Sequence, residues 1–187
     1  MDTFYMSTAA SLHRSERPRL FVVMGVAGCG NSTVGEALAP GLGGIYFDGD
    51  NFHPRENIAK MSRGEPLTDA DRWPWLRRIG AEIAAQKGIV VCGCSALRRV
   101  YRDVIREAAG EPVLFIHLAG SRELIERRMA ARSGHFMPLS LLESQFATLE
   151  PPGADEDAES IGIDASTDEI VARIASQIGE NGSWPTG

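Results

Sequence analysis

The chain has 187 residues, 43% of them hydrophobic and 24% charged, enough for one domain with its own core and no disulfide support. A formal net charge of -6 excludes a general nucleic-acid binder, which needs a basic stripe. No stretch approaches the roughly 20 apolar residues of a membrane helix, and residues 1–18 lack the apolar centre of a signal peptide, so a cytoplasmic protein with no membrane partner is expected.

Residues 1–18 read as a flexible extension, 19–180 as a single domain and 181–187 as a tail. Leu20 to Met24 is an apolar run without alternation, the pattern of a strand buried on both faces. A glycine-rich turn follows, then a helix over Ser32–Leu42 and a second strand over Ile45–Phe47, ending at Asp48-Gly49-Asp50. Pro54 opens a short helix to Met61, and Thr68-Asp69-Ala70-Asp71 forms a capping-box start for a long helix to Gln86. Further strands are predicted at Ile89–Cys92, Val113–Leu118 and, more weakly, Ile161–Ile163. Helices are predicted at Arg98–Ala109, Ser121–Ala131, Pro138–Ala147 and Thr167–Ile178, with an acidic loop over Thr148–Ser160. Apolar strands alternating with helices predict an α/β fold, a parallel sheet with helices on both faces and ligands at the strands' carboxyl ends.

Gly25-Val26-Ala27-Gly28-Cys29-Gly30-Asn31-Ser32-Thr33 has the spacing of a phosphate-binding P-loop between a strand and a helix, with Asn31 at the lysine position. Its glycines let backbone N–H groups wrap a polyphosphate, the following helix N-terminus adds positive potential, and Ser32 stands at the hydroxyl position that holds Mg²⁺. All nine residues are candidate ATP-binding positions. Asn31 suits a helix start but brings no charge to the β/γ-phosphates, so weakened catalysis is expected unless an arginine supplies that charge. Cys29, Cys92 and Cys94 form no disulfide framework; they read as reduced packing residues, with a redox pair open if Cys29 and Cys94 share the cleft.

Five longer strings resemble bacterial gluconokinases: Asp48–Pro54, Glu56–Met61, Gly64–Leu76, Cys94–Asp103 and Gly134–Pro152. The resemblance covers Leu20 to Pro152 and continues weakly beyond. It implies ATP- and Mg²⁺-dependent phosphorylation of the D-gluconate 6-hydroxyl, a shikimate-kinase-like three-layer P-loop kinase fold of strand order 2-3-1-4-5, a helical lid around 127–147, and a homodimer. Asp48 would orient the metal's water shell and Asp50 would accept the hydroxyl proton. A polyhydroxy acid needs a cation and hydrogen-bonding groups, for which Lys60, Arg63, Arg72 and His53 are placed. Arg98 stands where the family's motif carries lysine, an exchange that keeps charge but changes shape. Arg132 would reach the transferred phosphate and is the candidate substitute for the missing lysine. Arg128 falls among nucleotide contacts, and His135 and Gln145 among substrate contacts. Trp73 and Trp75 read as packing residues and His117 as a core histidine. A non-catalytic gluconate or nucleotide sensor, and a kinase of a related sugar acid, are the alternative readings.

Overall fold

The structure is a computed structural model that describes residues 18–131 and 139–180. Nearly all of the expected N-terminal extension, the tail and the centre of the expected lid, with Arg132 and His135, lie outside the described residues. Five strands, β1 (Leu20–Met24), β2 (Ile45–Asp48), β3 (Val90–Gly93), β4 (Val113–Ala119) and β5 (Ala158–Gly162), form a parallel sheet in the order β2-β3-β1-β4-β5. The helices are α1 (Asn31–Gly41), α2 (Arg55–Ser62), α3 (Asp69–Ala85), α4 (Arg99–Ala109), α5 (Arg122–Ala131), α6 (Leu139–Thr148) and α7 (Thr167–Glu180).

The apolar run of β1 has the central place such a run demands, with all five residues buried. Its side chains alternate between two cores. Phe21 and Val23 join Val34 and Leu38 of α1, Ile125 of α5, Leu142 of α6 and Ile170 and Ile174 of α7. Leu20, Val22 and Met24 join Trp75, Leu76, Ile79 and Ile83 of α3 and Tyr101 and Ile105 of α4. Each such side chain contributes roughly 1.5–3 kcal/mol when fully buried, so the three layers are held mainly by these two faces. Helices α3 and α4 approach closely at Gly80, where a methyl group would fall 2.5 Å from the Ile105 carbonyl oxygen.

Three expectations change. The fifth strand begins at Ala158, because Glu159 and Ser160 pair with Ile116 and His117 through the backbone and an edge strand needs no apolar run to do so. The segment expected at the strand's end, Asp48-Gly49-Asp50, leaves the strand at once: Gly49–Phe52 is a 3₁₀ turn, which takes Asp50 off the strand's line. Cys29 belongs to one core and Cys94 to the other, both buried, which removes the redox pair.

Candidate active site

The glycine-rich loop leaves the carboxyl end of β1 and enters α1. Gly30 caps the helix at φ 95°, a left-handed conformation that favours glycine, and no side chain caps the first turn. The first-turn amides of Asn31, Ser32 and Thr33 therefore point out of an uncapped, acid-free helix start, the arrangement that receives phosphate. Gly28, at φ 83°, sits so close to α5 that a methyl group would meet Met129 Cγ at 2.7 Å. Cys29 N–H donates to the Val26 carbonyl at 3.1 Å, tightening the loop.

Two helices brace this loop. From α6, Gln145 Oε1 accepts the Ala27 N–H at 2.6 Å. From α5, the Arg128 guanidinium donates to the carbonyls of Cys29 (3.5 Å), Ala165 (3.1 Å) and Ile163. Arg128 thus ties the loop to the segment after β5. Both residues were read from sequence as ligand contacts, and in the structure both bond to the loop that would hold the nucleotide.

At the end of β2, Asp48 Oδ1 accepts the Asp50 N–H at 3.0 Å and caps the 3₁₀ turn. Trp75 Nε1 donates to the Gly49 carbonyl at 2.8 Å, holding the turn on α3. The Asp50 side chain is 79% exposed. The protein around it still displaces enough water to raise its carboxyl pKa, and the neighbouring Asp48 carboxylate raises it further. His53 is buried, stacks on Trp75 with ring centroids 4.0 Å apart, and lies 3.8 Å from Asp50 Oδ1. Burial, then the positive charge of Arg72, lowers its pKa to about 4.

The buried Tyr46 hydroxyl lies near both Ser32 and Asp48, the two candidate metal-side groups, and has no hydrogen-bond partner among the described residues. Hydroxyl and carboxylate oxygens suit Mg²⁺ chemically. Among the described residues no cluster of three His, Cys, Asp or Glu side chains forms a metal cage.

The candidate substrate cations differ in their partners. Lys60 is paired to Asp71 at 2.8 Å, Arg63 to Glu65 at 2.7 Å, and Arg98 to Asp69 at 2.7 Å and Glu150 at 3.5 Å. Arg72 makes no close ion pair among the described residues, though Asp69 feels its charge; it lies over the Tyr101 ring with its centre 5.6 Å from the centroid. Tyr101 donates to Asp69 Oδ1 at 2.5 Å, so Asp69 and Tyr101 organise this side of the cleft. Sequence reasoning did not single out Asn57, Asp69, Tyr101 or Tyr46. Only the i, i+4 spacing of His53 and Asn57 could have pointed to one of them. His117 is a core histidine, its Nδ1 3.1 Å from Ser160 Oγ, and Trp75 is a core tryptophan.

No protein-family model matches the chain. It is 46% identical over 158 residues to the thermoresistant gluconokinase of Escherichia coli K12, covering 82% of this chain and 89% of that one. The crystal structure of a gluconokinase from Sinorhizobium meliloti 1021 superposes with a TM-score of 0.78 at 44% identity, over 89% of this chain and 99% of the other. Shikimate kinase from Aquifex aeolicus, at 14% identity and a TM-score of 0.58 over 86% and 96% of the two chains, shares the fold alone. With this loop, turn and cleft, and with that identity over most of its length, the chain belongs to the gluconokinase family.

Proposed function

We propose that the protein transfers the γ-phosphoryl group of ATP to the 6-hydroxyl of D-gluconate, at a rate lowered by Asn31. The observation that carries this reading is the pairing of an uncapped phosphate loop with Asp50, a carboxylate of raised pKa on the next strand's exit turn. A base works best when its pKa lies nearer the working pH, and phosphoryl transfer otherwise needs alignment and charge stabilisation. Asp50 would take the proton of the attacking hydroxyl. Arg72, which makes no close ion pair with a carboxylate among the described residues, would hold the gluconate carboxylate, with His53, Lys60, Arg98, His135 and Gln145 as the further substrate contacts of the reading. Ser32 and Asp48 would hold Mg²⁺, which when bound neutralises charge on the phosphates. Arg128 and the loop residues Gly25 to Thr33 would hold ATP, and Arg132 would approach the transferred group. A cytoplasmic homodimer is part of the same reading; sedimentation tests the dimer.

Asn31 keeps the helix start but leaves the β/γ-phosphates without lysine's charge. Loss of one preorganised donor costs about 10²–10³ in rate. Coupled ADP release with ATP, Mg²⁺ and a panel of aldonic acids tests the proposal. Slow turnover is expected with gluconate, and Asn31→Lys should raise kcat about 10²-fold or more. Binding of nucleotide or gluconate with no turnover, in the native chain and in Asn31→Lys alike, would support the sensor reading that Asn31 otherwise leaves open.

A further inference from the structure

Asn57 is a buried polar side chain on α2, 3% exposed. Its amide nitrogen donates to the Asp71 carbonyl oxygen at 2.9 Å and faces His53 Nδ1 at 3.3 Å. A carbonyl oxygen can only accept, so the Asp71 contact requires the NH₂ of Asn57 on that side and decides the amide's orientation. The second N–H of the same NH₂ then meets His53 Nδ1. A nitrogen that receives a donor carries no proton in the neutral ring, so the ring proton is on Nε2. Nε2 is the atom that faces Asp50, 3.8 Å from Oδ1. Stacking on Trp75 at an interplanar angle of 16° fixes the plane of the ring, and Trp75 in turn holds the Gly49 carbonyl.

We propose that Asn57 is a positioning residue: it locks His53 as the Nε2–H tautomer, so that a neutral imidazole presents a hydrogen-bond donor beside Asp50, at the substrate hydroxyl. The role of that donor rests on the gluconokinase reading; the tautomer does not. A donor there steadies the oxygen nucleophile without competing with Asp50 for its proton. An Nδ1–H tautomer would turn a lone pair toward Asp50, repelling the carboxylate and competing with it for the proton of the substrate hydroxyl. The gap of 3.8 Å is too long for a direct bond and wide enough for a hydroxyl oxygen to bridge the two groups.

Long-range ¹H–¹⁵N correlation spectra of the imidazoles at pH 7.5 read the tautomer directly and need no turnover. His53→Gln assigns the His53 signals among those of the four histidines. The expected spectrum has a pyridine-type Nδ1 and a pyrrole-type Nε2 in the native protein. In Asn57→Leu, where the donor is gone, the two nitrogens should move toward the averaged values of exchanging tautomers, and kcat/KM for gluconate should fall about 2- to 10-fold, the worth of one hydrogen bond. Asn57→Gln serves as a second variant, because a retained NH₂ should hold His53 nearer the native tautomer. Addition of D-gluconate alone should shift Nε2 more than Nδ1. A native Nδ1–H tautomer, or unchanged ¹⁵N shifts in folded Asn57→Leu, would overturn the proposal. A native Nε2–H tautomer that ignores gluconate would uphold Asn57's role while removing gluconate from the reading.

Discussion

Tyr46 holds the one buried side-chain polar atom without a hydrogen-bond partner among the described residues. Its ring and hydroxyl fill space left by two glycines: a methyl at Gly35 would lie 2.6 Å from Cε2, and one at Gly93 would lie 2.5 Å from the hydroxyl oxygen. Burial pushes the phenol pKa up to about 12, an effect that the nearby Ser32 hydroxyl partly offsets. An orphaned hydroxyl contributes little to stability, because its lost hydration is not repaid. Tyr46→Phe is therefore expected to leave stability unchanged or raise it by up to about 1 kcal/mol, read by urea unfolding. A clear loss of stability would show that Ser32 and Tyr46 do bond, and would make Tyr46 a support of the Ser32 hydroxyl. Asp50 gives the opposite separation. It is exposed and, among the described residues, makes no ion pair beyond the distant His53 contact, while its raised pKa means its charge is disfavoured when folded. Asp50→Asn should therefore leave Tm unchanged or slightly raised while lowering kcat about 10²- to 10⁴-fold, the range for a lost general base.

At the level of elements, the cleft depends on a segment that has no regular structure of its own. After β3 the chain passes through Ala96, a non-glycine residue at φ 40°, before α4 begins. Arg102, fully buried on α4, donates to the carbonyls of Ala96 (3.3 Å), Leu97 (3.4 Å) and Glu150 (3.0 Å), and its remaining donors pair with Glu156 at 2.7 Å. One guanidinium thus joins the Ala96 turn, the exit of α6 and the acidic loop before β5. Removing Arg102 leaves the buried Glu156 carboxylate with only the longer Arg106 contact at 3.5 Å and the Gly153 N–H, so Arg102→Met should cost up to about 3–5 kcal/mol in urea unfolding. The double variant Arg102→Met/Glu156→Leu should recover much of that loss. Such a tie was not legible in the sequence, because Arg102 and Glu156 stand 54 residues apart and each looks like a surface charge. What was legible is local. The capping box at Thr68, with Asp71 Oδ2 accepting the Thr68 N–H at 2.8 Å, follows from four consecutive residues, and β1 follows from five. The 3₁₀ turn at Gly49 escaped because its cap is a single Asp, and the start of β5 at Ala158 escaped because its partner supplies the ladder. The ligand strings were legible only through resemblance, and neither the tie from Gln145 to Ala27 nor that from Arg128 to Cys29 is written in either segment.

Across the whole molecule, these buried groups set an order of events in acid. His53 has a pKa of about 4 when folded, against an ordinary 6.5, because burial and Arg72 oppose its charge while Asn57 and Trp75 enclose the ring and the exposed Asp50 compensates little. The unfolded chain therefore takes up a proton below pH 6.5 that the folded chain refuses until about pH 4, so stability falls as pH drops through that window. Glu156 is held down at about 2, chiefly by its hydrogen bonds from Arg102, against an ordinary 4.5. The stability it contributes is complete above pH 4.5 and is lost as pH falls toward 2. Asp71, also at about 2 through Lys60 and the Thr68 cap, acts in the same direction but is screened by solvent. The raised pKa of Asp50 works the other way and softens the upper part of the decline. Urea unfolding across a pH series should thus show two adjoining declines, each with a slope of at most about 1.4 kcal/mol per pH unit per group. His53→Gln should reduce the decline that begins below pH 6.5, leaving the share of buried His117, whose pKa is also lowered by burial and by Arg102, and should leave the lower decline intact. Glu156→Gln should start from lower stability and flatten only the decline below pH 4.5. If His53→Gln kept the native slope above pH 4.5, His53 would have to titrate freely when folded, and the closed environment built by Asn57 and Trp75 would not hold in solution.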